Sequence, residues 1–280
     1  YTVLECVGKG GSSKVYKVIS PEHKIFALKR IKLEGREKEA AAGSMDEITL
    51  LNRFKGRHHI IQLVDSQIFR EAGIIYMVLE YGEVDLARLL QRREKVRSAE
   101  GQGDKIDLNF IRLHWQQMLE AVHIIHEERI VHSDLKPANF LFVEGVLKLI
   151  DFGIAKAIQN DTTHIARESQ VGTLNYMSPE AILSGSNGNR SGKQTKVGRA
   201  SDVWSLGCIL YQMVYGHTPF SHLQFIQKLH AITDPNHEID FPTIQNQSLL
   251  DVMRRCLDRN PKTRIGIPDL LDHVFLNPSQ

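Results

Sequence analysis

Residues 132–141 read His132-Ser133-Asp134-Leu135-Lys136-Pro137-Ala138-Asn139-Phe140-Leu141. Asp134 and Asn139 stand five apart, with Lys136 between them. A carboxylate so placed can take a proton from a hydroxyl, a lysine can neutralise a moving anionic group, and a carboxamide can hold a hard cation. Twelve residues past Asn139 comes Asp151-Phe152-Gly153, and Glu180 of Ser178-Pro179-Glu180 lies 29 residues past Asp151. Each tripeptide alone is an ordinary turn. In this order and at these spacings, coincidence is negligible.

Upstream of this stretch the chain reads first as strands. Tyr1 to Val7, Lys14 to Ser20, Lys24 to Leu33, Ile60 to Phe69 and Ile74 to Leu79 are rich in β-branched and aromatic residues and are separated by turn formers. Met45 to Phe54 has a helical period, with Ile48, Leu51 and Phe54 on one face. From Asp85 on, helical patterns dominate. The longest runs from Leu108 to Glu127, with Ile111, Trp115, Met118, Val122 and Ile125 on one stripe. Short strands are expected at Phe140 to Val143 and Leu147 to Ile150, and helices at Ser201 to Tyr215, Phe225 to Ile232, Ser248 to Leu257 and Ile267 to Asp272. Arg97 to Asp104 and Ser184 to Gly198 read as loops. Strands followed by helices describe an α+β chain, mainly β at first and mainly α after.

Between the first two strands lies Gly8-Lys9-Gly10-Gly11-Ser12-Ser13. Glycines there let backbone amides approach phosphate oxygens, and a strand on both sides separates this loop from dinucleotide-binding turns. Lys29 follows within Ala27-Leu28-Lys29, and Glu47 lies 18 residues further on, in the predicted helix. An ion pair between them would aim the ammonium. Glu37 and Glu39 are rival partners; Glu47 is favoured because it shares a face with Leu51 and Phe54.

The 280 residues are 42% hydrophobic and 24% charged, which excludes a disordered or collagen-like chain. Lys and Arg number 35 against 33 Asp and Glu, so a net charge of +2 gives no field of the kind a dedicated nucleic-acid binder carries. Cys6, Cys208 and Cys256 lie far apart, which argues against a disulfide scaffold or zinc site and fits a reducing compartment. No apolar run approaches the ~20 residues that span a bilayer. The chain opens on Tyr1, already strand-like, and reads as a domain of a longer protein.

Over nearly its whole length the chain resembles a eukaryotic protein kinase domain. More specifically it resembles the monopolar-spindle (TTK, spindle-checkpoint) kinase family, through GKGGSSKV from Gly8, HSDLKPANFL from His132, SQVGTLNYM from Ser169, SDVWSLGCILYQMVYG from Ser201 and LHAITDPNHEIDFP from Leu229. The resemblance implies a bilobal fold: an N-lobe over 1–79, a hinge over 80–84, and a C-lobe over 85–280 with an activation segment over 151–180. It implies ATP as phosphoryl donor and Mg²⁺ as metal. Val7, Gly8, Lys9, Gly10 and Gly11 would belong to the ATP site, the glycines approaching the phosphates. Val15, Ala27 and Leu141 would sandwich the adenine. Leu79 would be the gatekeeper, Glu80, Tyr81 and Gly82 the hinge, and Asp85 the ribose edge. Lys29, paired with Glu47, would hold the α- and β-phosphates. Asp134 would accept the substrate hydroxyl proton and Lys136 would offset charge on the γ-phosphoryl. Asn139 and Asp151 would hold Mg²⁺. Asp202, and Glu180 with Arg264, would be structural supports, and Leu51, Phe152 and His132 would stack in a regulatory spine.

Lys136 and Thr173 match serine/threonine kinases, and the family resembled is described as dual-specificity. Two departures from the general pattern, Ser13 for the third glycine and Ser133 for the usual arginine, both belong to that family. Because Ser133 has no charge, phosphate at Thr162 or Thr163 would have to order its loop through other cations; Ser169 and Thr173 are further candidates. Protein substrates at kinetochores, transient self-association for trans-phosphorylation, and a cytoplasmic and nuclear location with spindle and kinetochore recruitment in mitosis follow from the resemblance. Nucleic acid and membrane are not expected partners. The alternatives are a nucleotide-binding scaffold without transfer, which the intact Lys29, Glu47, Asp134, Asn139 and Asp151 disfavour, and a kinase of another family that shares His132-Ser133-Asp134 by accident. His123, His126 and His132 read as core or helix-end histidines rather than a metal cluster. Arg92 to Lys95 reads as a solvated helix face and Cys208 as a small buried hydrophobe.

Overall fold

The computed structural model describes residues 1–10, 13–33, 37–100, 107–152, 174–186 and 198–278. The chain divides into two compact units, Tyr1–Asp85 with Leu141–Thr163 and Leu86–Phe140 with His164–Gln280. The first unit therefore takes in residues from 141 on.

In the first unit, β1 (Thr2–Lys9), β2 (Ser13–Ile19), β3 (Ile25–Lys32), β4 (Leu63–Phe69) and β5 (Ile74–Glu80) form one antiparallel sheet in the order β1-β2-β3-β5-β4. A register shift between Cys6 and Gly8 makes Val7 the extra residue of a bulge, just where the glycine-rich stretch begins. Helix α1 (Glu37–Arg53) starts eight residues before the expected Met45. Ala40, Ala41 and Ala42 have the best intrinsic helix propensity yet add nothing to an apolar period. Ile60 and Ile61, expected in a strand, instead join Leu149 through a parallel bridge and an Ile61 N–H to Leu149 O bond of 3.0 Å. A second sheet joins β6 (Val84–Asp85), β7 (Phe140–Val143) and β8 (Val146–Leu149).

The second unit is helical. Helix α2 (Leu86–Glu100) runs through Arg97–Glu100, which the sequence reading placed in a loop. α3 (Leu108–Glu127) is capped by Asp107, whose carboxylate accepts from Phe110 N–H at 3.0 Å. A single 3₁₀ turn, Pro137–Asn139, precedes β7. α4 (Pro179–Ser186) has Pro at its first position and takes in the first three residues of the expected loop 184–198. α5 (Arg199–Tyr215) ends at Gly216, whose φ of +83° suits glycine. α6 (Phe225–Thr233), α7 (Gln247–Cys256) and α8 (Ile267–Leu271) follow. α3 packs on α5 and α8, and α5 packs on α7. Trp115, Met118, Val122 and Ile125 of α3 are fully buried, with Leu206, Cys208 and Ile209 of α5 and Met253 and Cys256 of α7. Burial pushes the Cys208 and Cys256 thiols far above their ordinary pKa, so both behave as small hydrophobes. Among the described residues no helix is long and apolar enough to cross a membrane.

One buried cation ties distant segments of this unit together. Arg264 Nη1 and Nη2 donate to the Glu180 carboxylate at 2.7 and 3.0 Å, and the same guanidinium reaches the carbonyls of Ala200 and Asp258 at 2.6 and 2.7 Å. It also lies over the Trp204 ring. Removing one partner of such a pair strands the other charge. Arg264→Leu is expected to cost about 3–5 kcal/mol of folding stability, read by urea unfolding.

Candidate active site

The sheet register of the first unit sorts the expected residues by face. Gly8 pairs with Val15, Val15 with Lys29, Ala27 with Leu79, and Lys29 with Met77. Paired residues share a face and alternate residues of a strand return to it, so Gly8, Val15, Ala27, Lys29 and Leu79 line one side. Lys29 Nζ donates to Glu47 Oε1 of α1 at 2.6 Å, with both side chains largely buried. The rivals Glu37 and Glu39 sit at the start of the same helix. Gly10 N–H closes the turn onto Ser13 O at 2.8 Å. Lys9 is exposed; Gly11 lies outside the described residues.

The 80–85 segment is anchored to β7 and β8. A Cβ on Gly82 would stand 2.4 Å from the Leu141 side chain and 2.6 Å from Phe142 O, so only glycine lets Leu141 seat there. Glu83 N–H donates to Phe142 O at 2.9 Å, and Asp85 pairs with Leu141. Lys17 lies over the Tyr81 ring, 5.0 Å from its centre. The Glu80 side chain turns away from this edge: Lys148 Nζ donates to both its oxygens at 2.7 and 2.9 Å, and Gln62 N–H to one at 2.9 Å. The sequence reading missed Lys148 and Gln62. The available signal was a lysine inside the apolar run Leu147–Ile150, which reads as a solvated position yet is 8% exposed. Asp151 is half-buried, and the Phe152 ring packs on Phe54 with centres 5.4 Å apart.

In the second unit one loop gathers Asp134, Lys136 and Asn139. Lys136 Nζ donates to Asp134 Oδ2 at 3.0 Å, and Asn139 Oδ1 accepts from Lys136 N–H at 3.1 Å. Asp134 N–H donates to His132 Nδ1 at 3.2 Å. The loop hangs on α5: Asp202, fully buried, accepts from His132 N–H at 2.9 Å, Ser133 N–H at 2.9 Å and His126 Nε2 at 2.8 Å. Ser133 is held at φ +64°, a conformation L-residues rarely adopt. His126 is a buried core histidine bound to a carboxylate, and no three metal-ligating side chains cluster among the described residues. Leu51, Phe152 and His132 are all buried. Thr162, Thr163, Ser169 and Thr173 lie outside the described residues.

These features place the chain in a family. The sequence profile described as "Protein kinase domain" matches residues 1–276, and the chain belongs to that family of ATP- and divalent-metal-dependent phosphotransferases. Within it the chain is similar, among others, to three kinases. It is 52% identical over 278 residues to the "Probable serine/threonine-protein kinase mps1" of Dictyostelium discoideum, covering 99% of this chain and 27% of that protein. It is 48% identical over 295 residues to the "Serine/threonine-protein kinase mph1" of Schizosaccharomyces pombe, covering 98% and 42%. It is 48% identical over 279 residues to the "Dual specificity protein kinase TTK" of Mus musculus, covering 99% and 31%. The chain thus spans less than half the length of these relatives.

Asp202→Ala is expected to orphan the His132 and Ser133 amides at about 1–3 kcal/mol each. Faster hydrogen exchange at those two amides, with a matching loss in denaturant stability, is the check.

Proposed function

We propose that this chain transfers the γ-phosphoryl of ATP to serine and threonine hydroxyls of proteins, its own loop included. The observation that carries this reading is the Asp134–Lys136–Asn139 loop, oriented through Asp202 and found in a chain that also forms the Lys29–Glu47 pair. Asp134 takes the proton of the acceptor hydroxyl, and its oxygen bound to Lys136 keeps the carboxylate turned one way. Lys136 offsets charge on the moving group. Lys29, steadied by Glu47, takes up charge on the phosphates that stay behind. The face bearing Val15, Ala27 and Leu79 supplies the apolar ground for adenine, with Leu141 beside it. The hinge offers backbone groups of Glu80 and Gly82 to the base edge and Asp85 to the ribose. Phosphoryl transfer asks little covalent chemistry of a protein, so positioning and electrostatics supply most of the effect.

Asn139 and Asp151 each offer a hard oxygen of the kind Mg²⁺ takes; that ion binds through one or two side chains and substrate phosphates and, when bound, would offset phosphate charge. By likeness to the relatives above, the biological setting is the mitotic spindle checkpoint: kinetochore and checkpoint proteins as substrates, a cytoplasmic and nuclear enzyme recruited to the spindle, and self-association during trans-phosphorylation. Tyrosine acceptors fit the dual-specificity relative. Asp134→Asn is expected to lower kcat by about 10²–10⁴-fold while ATP still binds, measured by phosphate transfer to a generic protein acceptor alongside nucleotide-binding titration. Unchanged transfer would overturn the reading, and binding without transfer in the wild type would favour the scaffold alternative.

Ser133 removes the cation that usually receives a loop phosphate. Phosphate on Thr162 or Thr163 therefore acts through lysine or arginine elsewhere. Thr162→Ala with Thr163→Ala is expected to lower kcat of the self-phosphorylated enzyme toward that of the dephosphorylated one. Equal rates before and after phosphatase treatment would count against it.

A further inference from the structure

The side of the first unit's sheet that faces away from Lys29 carries a row of donors. Lys9 of β1 pairs with Lys14 of β2, Lys14 with Arg30 of β3, Arg30 with Tyr76 of β5, and Tyr76 with Gln67 of β4. Each strand contributes one residue, and paired residues share a face, so the five cross the sheet in a line about 19 Å long. Every one of these side chains ends in at least one N–H or O–H donor, and three are cations. Lys9, Lys14 and Gln67 are exposed; Arg30 and Tyr76 are half-buried.

None of the five donors is engaged. Among the described residues their side chains make no hydrogen bond and no ion pair, and Arg30 Nε is buried without a partner. The opposite side of the sheet differs: Lys17 lies 3.9 Å from Glu5, its cross-strand partner, and Lys29 bonds to Glu47. Like charges placed directly opposite on neighbouring strands repel, so the sequence Lys9, Lys14, Arg30 across three strands is a poor choice for the sheet alone. The register puts two acidic residues on this side. Glu80 is already bonded to Lys148, and Asp65 stands on the far edge strand, β4.

The arrangement suits a dense, local anion. Lys9, Lys14 and Arg30 span two strand spacings, about 10 Å. A phosphorylated serine or threonine carries about −1.5 to −2 charges at neutral pH and three acceptor oxygens. Residues two apart in an extended peptide point to the same side at a separation of about 6.8 Å. Two phosphates therefore fit over the three cations, with the Tyr76 hydroxyl and the Gln67 amide beyond them as neutral donors. A carboxylate at the same place brings less charge and fewer acceptors. A long polyanion draws on a wide field, which the net charge of +2 does not supply.

We propose that this row is a docking surface for an extended segment of a protein partner that is phosphorylated at two positions two residues apart. Arg30 and both lysines hold the phosphate oxygens through charge-assisted hydrogen bonds. Docking there needs neither nucleotide nor phosphoryl transfer, so it goes beyond the kinase reading above and stands independently of it.

The test is fluorescence anisotropy with the whole chain, without nucleotide, and labelled peptides of neutral background that carry two serines two residues apart, with neither, one or both phosphorylated. The doubly phosphorylated peptide is expected to bind about tenfold tighter than the unphosphorylated one, and the difference to shrink as salt is raised. Lys14→Gln combined with Arg30→Gln is expected to bring the two peptides within about twofold of each other. The melting temperature of that variant should hold or rise, because cross-strand repulsion is lifted. A wild type indifferent to phosphate, or a preference that the variant leaves unmoved, overturns the inference. So does a fall in melting temperature alongside the loss, which marks a structural role. Tighter binding of single-stranded DNA or of phosphatidylserine vesicles, lost in the same variant, also overturns it by assigning the row to another class of partner. Transfer to a generic protein acceptor, measured in parallel, separates the two levels: phosphate-selective docking without transfer supports this inference and sinks only the catalytic reading, whereas transfer without such docking does the reverse.

Discussion

Three N–H donors converge on one fully buried carboxylate, Asp202, and the loop over residues 132–139 takes its shape from that convergence. Two of the donors are consecutive backbone amides. The chain turns sharply directly after them, with Ser133 at a left-handed φ. The strain is maintained because releasing it would leave buried donors without partners. Asp134 and Lys136 are presented side by side from that turn, and Asn139 closes it by accepting from Lys136 N–H. The neighbouring serine on the same helix, Ser201, holds the segment leading into α4, so one helix sets both pieces.

The first unit uses charge in a comparable way, with partners supplied by different elements. Lys29 on β3 is steadied by Glu47 on α1, and Glu80 at the end of β5 by Lys148 on β8 and the Gln62 amide. Half-buried pairs of this kind add little net stability, because desolvation offsets most of the Coulomb attraction. What they supply is orientation. Glu80 illustrates the point: its carboxylate is drawn to Lys148 and the Gln62 amide. Gly82 contributes by having no side chain, which lets Leu141 close against it.

Lys228 stands apart from these pairs, since its partner carries no charge. Arg264, equally deep in the same unit, meets a carboxylate and three carbonyls and so has nearly all its donors engaged. The Arg264 network secures the fold. The Lys228 bond fixes the orientation of one carboxamide, that of Asn175, since an ammonium can only donate.

Much of this protein was legible in its sequence. The strand and helix order followed from periodicity, and residues contiguous in the chain, such as His132 to Asn139, carried their own chemistry because their relative placement is local. Lys29 and Glu47 could be matched across 18 residues because a strand and a helix face constrain them. Tertiary structure alone decided the partners of charged residues that look solvated in sequence. Lys148 meets Glu80 across 68 positions and Lys228 finds Asn175 across 53, whereas the reach of Asp202 to His132 across 70 was foreseen only through the family resemblance. A sequence pattern reports which face of an element is apolar. Which buried charge meets which acceptor is set by how elements pack, since a polar group removed from water must find its partner wherever the fold brings one within about 3 Å.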